Sequence, residues 1–344
     1  MNNLKINIKK PGFVLITVLL IIILLTAVLL EFNHASRAHL NTADDFYAQH
    51  QALNCARSGL NIALAALIQN HDLQTNSLLR MLLTHPAVFH TDPGQCTVTM
   101  VEENGKLNIN MLKNKNGRLD RPRIDQFLRL IDLLNQQSLN RDPISYGLAP
   151  AIIDWTDPDD QVTILPFVGR ANMGAESSYY QNTDVPVPCR NQPLTTVDEL
   201  LLVKGITPRI LYGGSARGSS EQKLPIGLAD YLTVYGDGKI DINAAPELVI
   251  RSMAENIDPH LARTIIQRRQ QKRLTSLAEL ADLPGINPAM LAAGGSTITT
   301  QPRNPYYKIT ASATVRKIQT TITAVIRLNP TTPKVEIILY QEDS

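Results

Sequence analysis

The chain has 344 residues, 44% hydrophobic and 19% charged, long enough for two domains or one elaborated domain. Its 33 basic residues nearly balance 31 acidic ones, and the net charge of +2 argues against a protein built mainly to grip nucleic acid. Three cysteines, Cys55, Cys96 and Cys189, stand far apart without a CxxC pair, which speaks against zinc and thioredoxin-like sites. One disulfide with a spare thiol, or three unpaired buried thiols, both remain open.

The first element is apolar. Lys5, Lys9 and Lys10 lead to Pro11-Gly12, and from Phe13 to Leu30 no charge appears. Eighteen such residues are the lower limit for crossing a bilayer core of roughly 30 Å. Lysines before the run, and no acid before Glu31, put the N-terminus in the cytoplasm by the positive-inside rule. The run ends LLEFNH, without the small residues of a secretory cleavage site. A basic leader, a glycine, a phenylalanine and a long apolar helix resemble a type IV prepilin signal. The resemblance implies cleavage between Gly12 and Phe13 and N-methylation of Phe13; a plain single-pass anchor is the alternative. Most pilins of that family carry Glu as the fifth mature residue, where this chain has Thr17.

From Phe13 to Asn70 there is no proline and one glycine, Gly59, so one helix of about 85 Å is expected. Beyond the membrane, Leu53, Ala56, Leu60, Ala63 and Leu67 share one face. Residues 71–95 read as a short helix at Leu78 to Leu83 and a loop. Cys96 to Met111 alternates as strands, with Glu103-Asn104-Gly105 as a turn. The far end, Tyr306 to Tyr340, holds three β-branched runs that read as a meander. Strands on both sides should share one sheet, because neither group buries a face alone. Residues 113–300 between them are mostly helical, and Ile124, Phe127, Leu128, Ile131 and Leu134 form one apolar face.

The middle repeats itself. LTTVDELLLVKGITPRIL from Leu194 and LTSLAELADLPGINPAML from Leu274 align without gaps, identical at eight of 18 positions. GKLNINML at Gly105 is echoed by GKIDINAA at Gly238. Thr195 and Thr275 read as helix N-caps, Gly205 and Gly285 as the turns, Pro208 and Pro288 as the next helix starts. Each copy is thus helix-hairpin-helix/SAM-like and resembles the tandem module of DNA-uptake receptors. The DNA-binding hairpin reads G-I-G, so that two backbone amides reach one phosphate. Here the turns read Gly205-Ile206-Thr207 and Gly285-Ile286-Asn287, which favours a structural module with no nucleic acid bound.

Asp154, Asp157, Asp159 and Asp160 fall within seven residues, and Glu176 follows after a glycine-containing loop. Carboxylates on a loop suit a hard cation, calcium above all. The spacing is not that of an EF-hand, and aspartates capping helix ends in a solvated turn are the alternative. The seven histidines lie mostly on the N-terminal stalk, and HExxH, GxSxG, P-loop and GxGxxG are all missing, so no enzyme is expected.

KPGFVLITVLL without glutamate at Thr17, AIIDWTDPDD, TTVDELLLVKGITPRIL and LTVYGDGKIDINAAPELV together resemble the minor pseudopilin K family of the type II (general) secretion pathway. The resemblance implies an α+β pseudopilin fold, a long N-terminal helix on an antiparallel sheet, with a large inserted α-helical domain. Its parts would be a leader (1–12), a transmembrane or filament-core helix (13–32), the pseudopilin helix and first strands (33–112), the inserted domain (113–300) and the closing strands (301–344). It implies an inner-membrane protein with its bulk in the periplasm, cut by prepilin peptidase and placed at the pseudopilus tip. Minor pseudopilins I and J and other pseudopilins would be its partners. Calcium in the inserted domain, held by Asp154, Asp157, Asp159, Asp160 and Glu176 as a group, follows from the same resemblance. A DNA-binding component of an uptake system is the competing function.

Overall fold

The computed structural model describes residues 11–69, 76–114, 116–137, 143–169, 171–213, 227–281, 283, 297–329 and 334–343. Lys5, Lys9 and Lys10 of the leader, and Gly285 and Pro288 of the second hairpin, lie outside them.

Helix α1 (Pro11–Gln69) is continuous over 59 residues. Leu15 to Leu30 are exposed all round, as a lipid-facing or filament-core segment must be. Burial starts at Ala48 and runs through Ala52, Cys55, Ala56, Leu60, Ala63, Ala66 and Leu67, the face that the spacing predicts. The seam is built from small residues, which bring the helix axis close to the sheet. Gly59 is its tightest point: a Cβ there would lie 2.5 Å from Cys96 Sγ and 2.8 Å from Val98 Cγ2. Close approach explains a glycine that weakens the helix by about 1 kcal/mol relative to alanine. Helix α2 (Ser77–Thr84) follows, its first turn capped by Asn76 Oδ1, which accepts from Leu79 N at 2.9 Å.

β1 (Ala87–Thr91) occupies part of the stretch that reads as loop; it gains its order by pairing antiparallel with β2 (Gly94–Glu102). After β2 the chain leaves the head. Glu103-Asn104-Gly105 forms a 3-10 turn, not a hairpin. β3 (Leu107–Asn108) then begins a second body, which continues through α3 (Arg121–Gln137), α4 (Leu148–Thr156), α5 (Ser177–Gln181), α6 (Pro208–Tyr212), β4 (Leu232–Thr233), β5 (Ile240–Asp241), α7 (Glu247–Ser252), α8 (Pro259–Gln271) and β6 (Ile298–Thr299). The chain then returns as β7 (Tyr306–Val315), β8 (Ile318–Asn329) and β9 (Lys334–Asp343). Strand order in the head is β1-β2-β7-β8-β9, antiparallel throughout, so strands on both sides of the insertion share one sheet.

The described residues form two large apolar cores. One lies between α1, α2 and the sheet, around Leu60, Leu67, Val98, Ile309, Ile322 and Ile326. The other fills the inserted body and takes in Leu107, Ile109 and Leu112 from the segment just after β2. Ala48 and Ala52 pack near Val315, and Gly59 lies over Cys96 and Val98, so α1 advances along β2 toward Glu102. The insertion therefore springs from the end of the sheet farthest from the apolar half of α1.

The repeat in the sequence is a repeat in space. Asn110 Oδ1 accepts from Leu194 N at 2.8 Å, and its Nδ2 donates to Leu194 O and Val234 O. Asn243 does the same to Leu274 N and O and to Thr300 O. β3 pairs parallel with β4, and β5 with β6, in the same register. Each asparagine thus clips the start of a repeat to a two-strand ladder. Both repeats begin as 3-10 turns, Val197–Leu202 and Leu277–Leu280, where α-helices are expected. Their caps are Thr196 and Ser276, one residue beyond the expected Thr195 and Thr275, because a capping box needs its glutamate three residues on, at Glu199 and Glu279. Gly205 turns the first copy at φ +82° before α6.

Candidate metal centre

Helix α4, LAPAIIDWT, is buried along nearly its whole length, because its apolar residues meet the core of the inserted body all round. Asp154 is the anomaly: it is 0% exposed in an otherwise apolar segment. An ionised carboxylate there is expensive unless it is paired or binds a cation. One turn on, Asp157 ends the helix at 4% exposure. The chain then runs out and back. Leu165 N donates to Asn172 O, and Gly174 N donates to Thr163 O at 3.0 Å. This return delivers Glu176, 2% exposed, to the same spot at the start of α5. Gly174 allows the closure: a Cβ on it would lie 2.1 Å from Asp154 Oδ2 and 2.6 Å from Pro150 O. Beside the trio, Trp155 meets Tyr180 edge-on at 4.7 Å, and Cys189 Sγ lies 4.0 Å from Glu176 Oε2.

One oxygen from each of Asp154, Asp157 and Glu176 falls within 4.8 Å of the other two. Asp154 Oδ1 accepts from Thr163 N at 2.9 Å, and Asp157 Oδ2 accepts from Lys113 Nζ. Asp154 Oδ2, Asp157 Oδ1 and Glu176 Oε1 are buried with no hydrogen-bond partner. Burial pushes all three groups above the usual carboxylate range, and repulsion from neighbouring carboxylates adds to it, from Asp157 at Asp154, from Asp159 at Asp157, and from Asp154 and Asp157 at Glu176, which reaches about 8. At Asp157 the Lys113 ammonium works against that rise. Three carboxylates that cannot comfortably ionise together, each with a free oxygen, fit a hard cation. Oxygens on opposite sides of an ion at about 2.4 Å stand about 4.8 Å apart, within the range calcium uses.

Of the five carboxylates that the sequence groups, Asp159 and Asp160 stand outside the trio and are exposed. Asp159 Oδ1 accepts from Gln161 N at 2.9 Å, and Asp160 Oδ1 from Ser177 N at 3.3 Å, so they shape the loop around it. Lys113 carries no sequence signal; it lies 44 residues before Asp157 and reaches it only through the fold. Thr17 lies in the exposed apolar half of α1, and Gly12 and Phe13 in its first turns.

Two family models of one description, type II secretion system protein K, match residues 105–212 and 240–300. A curated relative from Aeromonas hydrophila, the type II secretion system protein K, is 25% identical over 208 residues. That match covers 59% of this chain, which spans about 61% of the relative's length. Among solved structures, the crystal structure of the GspK-GspI-GspJ complex from the enterotoxigenic Escherichia coli type 2 secretion system contains a similar chain. The TM-score is 0.61 at 17% identity, covering 88% of this chain and 99% of that one, a likeness of fold. The family models fall in chain order, one on each half of the duplicated body and on either side of the β4–β5 junction. The chain belongs to the type II secretion system protein K family.

Proposed function

We propose that the protein is a minor pseudopilin at the tip of a type II secretion pseudopilus, where it helps start or limit assembly of the filament that exports folded proteins across the outer membrane. The observation that carries this is the place of the insertion. A body larger than the head leaves the sheet between β2 and β7, at the end away from the apolar half of α1. Such a mass would obstruct another subunit stacking above while leaving α1 free to pack below. Thr17 agrees: a carboxylate in lipid costs about 2.5 to 3.5 kcal/mol, and a subunit with no neighbour above has no terminal amine to pair it with.

On the same reading, prepilin peptidase cuts after Gly12, Phe13 is methylated, and α1 spans the inner membrane once with the head and inserted body in the periplasm. The partners are minor pseudopilins I and J, which accompany the chain of like fold in its solved complex. The two repeats serve as degenerate helix-hairpin-helix/SAM-like units of a structural body with no catalytic part, and none of the matches above names a DNA-uptake protein. Co-expression with I and J of the same system and prepilin peptidase tests the proposal. A ternary complex containing a chain that begins at Phe13 is expected; retention of Met1, or purification without either partner, overturns it.

Calcium belongs to the proposal. Asp154, Asp157 and Glu176 would hold it, with Asp159 and Asp160 shaping the loop. Bound calcium would neutralise the trio and tie α4 to the start of α5. Saturation at a hundred times the dissociation constant adds about 2.7 kcal/mol, roughly 5 to 10 °C in melting temperature for a body of this size. That shift should vanish with chelator and in Asp154→Asn/Glu176→Gln. No shift at millimolar calcium removes the metal from the proposal.

A further inference from the structure

We propose that Lys113 sets the charge of the carboxylate trio, matching it to a divalent cation. This rests on the calcium reading above and goes beyond it in naming what decides the ion's valence. Three ionised carboxylates in one buried place carry three negative charges. Among the described residues, the one cation paired with any of them is Lys113, whose ammonium meets Asp157 Oδ2. The other lysine nearby is engaged elsewhere: Lys204 Nζ donates to Gly174 O at 3.3 Å and stands 4.7 Å over the Tyr179 ring.

Lys113 pairs with one oxygen of Asp157 and leaves the other free. Asp157 Oδ1 is the buried, unpartnered atom of that carboxylate, whereas Oδ2 takes the ammonium. A cation on the free oxygens would therefore leave Lys113 where it is. The lysine is also placed firmly. It bridges antiparallel to Leu119, and Asp120 N donates to Leu112 O at 2.8 Å beside it. These contacts fix its stem at the mouth of α3, half-buried, with the ammonium pointing at the end of α4. With Lys113 counted, the trio keeps two negative charges, which a divalent ion cancels. A buried site left with net charge is penalised. Without the lysine, three negative charges remain, and a trivalent ion becomes the matching partner.

The full chain in detergent micelles, stripped of metal, is titrated with Ca2+ and Tb3+. Calorimetry reads both ions, and Tb3+ luminescence excited through Trp155, next to Asp154, reports binding at this place. Lys113→Gln keeps a donor for Asp157 Oδ2 but removes the charge; Lys113→Arg keeps both. The Gln variant should favour Tb3+ over Ca2+ by about 10- to 100-fold more than the unaltered chain, the effect of one unit charge across about 6 Å at an effective dielectric of about 20. The Arg variant should stay within about 3-fold of the unaltered chain. Lys113→Met, matched to the lysine stem in volume, gives a second neutral variant if Gln disturbs folding. An unaltered ion ratio in a neutral variant that still binds Ca2+ overturns the role of Lys113 and leaves the calcium reading standing. Failure of the unaltered chain to bind either ion overturns both.

Discussion

Asp154 and Gly174 depend on each other. The carboxylate sits where the returning loop must pass, and a side chain at position 174 would overlap Oδ2. Gly174→Ala should lower the stability of the metal-free protein by about 1 to 3 kcal/mol, the usual effect of overfilling a packed place, and weaken calcium binding as well. Gly169, in the same loop, is the control: a Cβ there would meet nothing within 4 Å, so Gly169→Ala should stay within about 0.5 kcal/mol. Urea unfolding of both variants with and without calcium measures the contrast. The acidic letters were visible in the sequence, but their ranks were not. Asp157 and Asp159 look alike in DWTDPDD, and only the helix end, which buries one and leaves the other in water, separates them. Gly174 shows no sign of its role until the Asp154 side chain is placed.

At the scale of elements, the Asn110 and Asn243 clips hold each half of the inserted body together. Asn243 makes three hydrogen bonds to backbone at 2.9 to 3.1 Å, joining β5 to the start of the second repeat and to the end of β6. Truncation leaves those backbone groups half-buried without partners, each worth about 1 kcal/mol or more. Asn243→Ala should therefore destabilise the protein by about 2 to 4 kcal/mol, and Asn110→Ala by a similar amount, read by denaturant unfolding. Equal losses would support two equivalent units; a loss below about 0.5 kcal/mol at either site would remove the clip as a structural device there. The 18-residue repeat and the GKxxIN echo announced this duplication, because identical letters stand at matching places. The ladders themselves were hidden. β3, β4, β5 and β6 are two residues each, too short for any alternating pattern to register. For the same reason ENG read as a hairpin turn, since nothing local says that Leu107 pairs with Leu232 rather than with β2.

Across the whole molecule, the two cores meet through a small polar joint. Glu102 at the end of β2 faces Arg273, which also binds Asp241 Oδ2 at 2.9 Å, and Arg269 donates to Ile242 O beside them. Asn104 accepts from Tyr306 N, and Tyr306 stacks on Tyr235 of the inserted body. Asp241, 1% exposed, is pushed up to about 7 by burial, with Arg273 opposing but not prevailing. In the unfolded chain it ionises near 3.9. Between those values the folded protein holds a proton that the unfolded chain has released. Stability from this group is therefore greatest near pH 4, falls as pH rises to about 7, and stays low above it. Glu102 shifts the same way through burial, so the contribution of Asp241 must be read as a difference. Asp241→Asn supplies it, because Asn108 fills the equivalent place in the first unit and makes the same bond: its Oδ1 accepts from Asn110 N at 3.0 Å, as Asp241 Oδ1 does from Asn243 N at 2.9 Å. The unfolding free energy of the unaltered chain minus that of Asp241→Asn should decline from pH 4.5 to 7.5 in metal-free urea titrations. If the pair with Arg273 governed the joint instead, the difference would rise over the same range, and the two bodies would be locked by charge rather than joined across a protonated carboxyl.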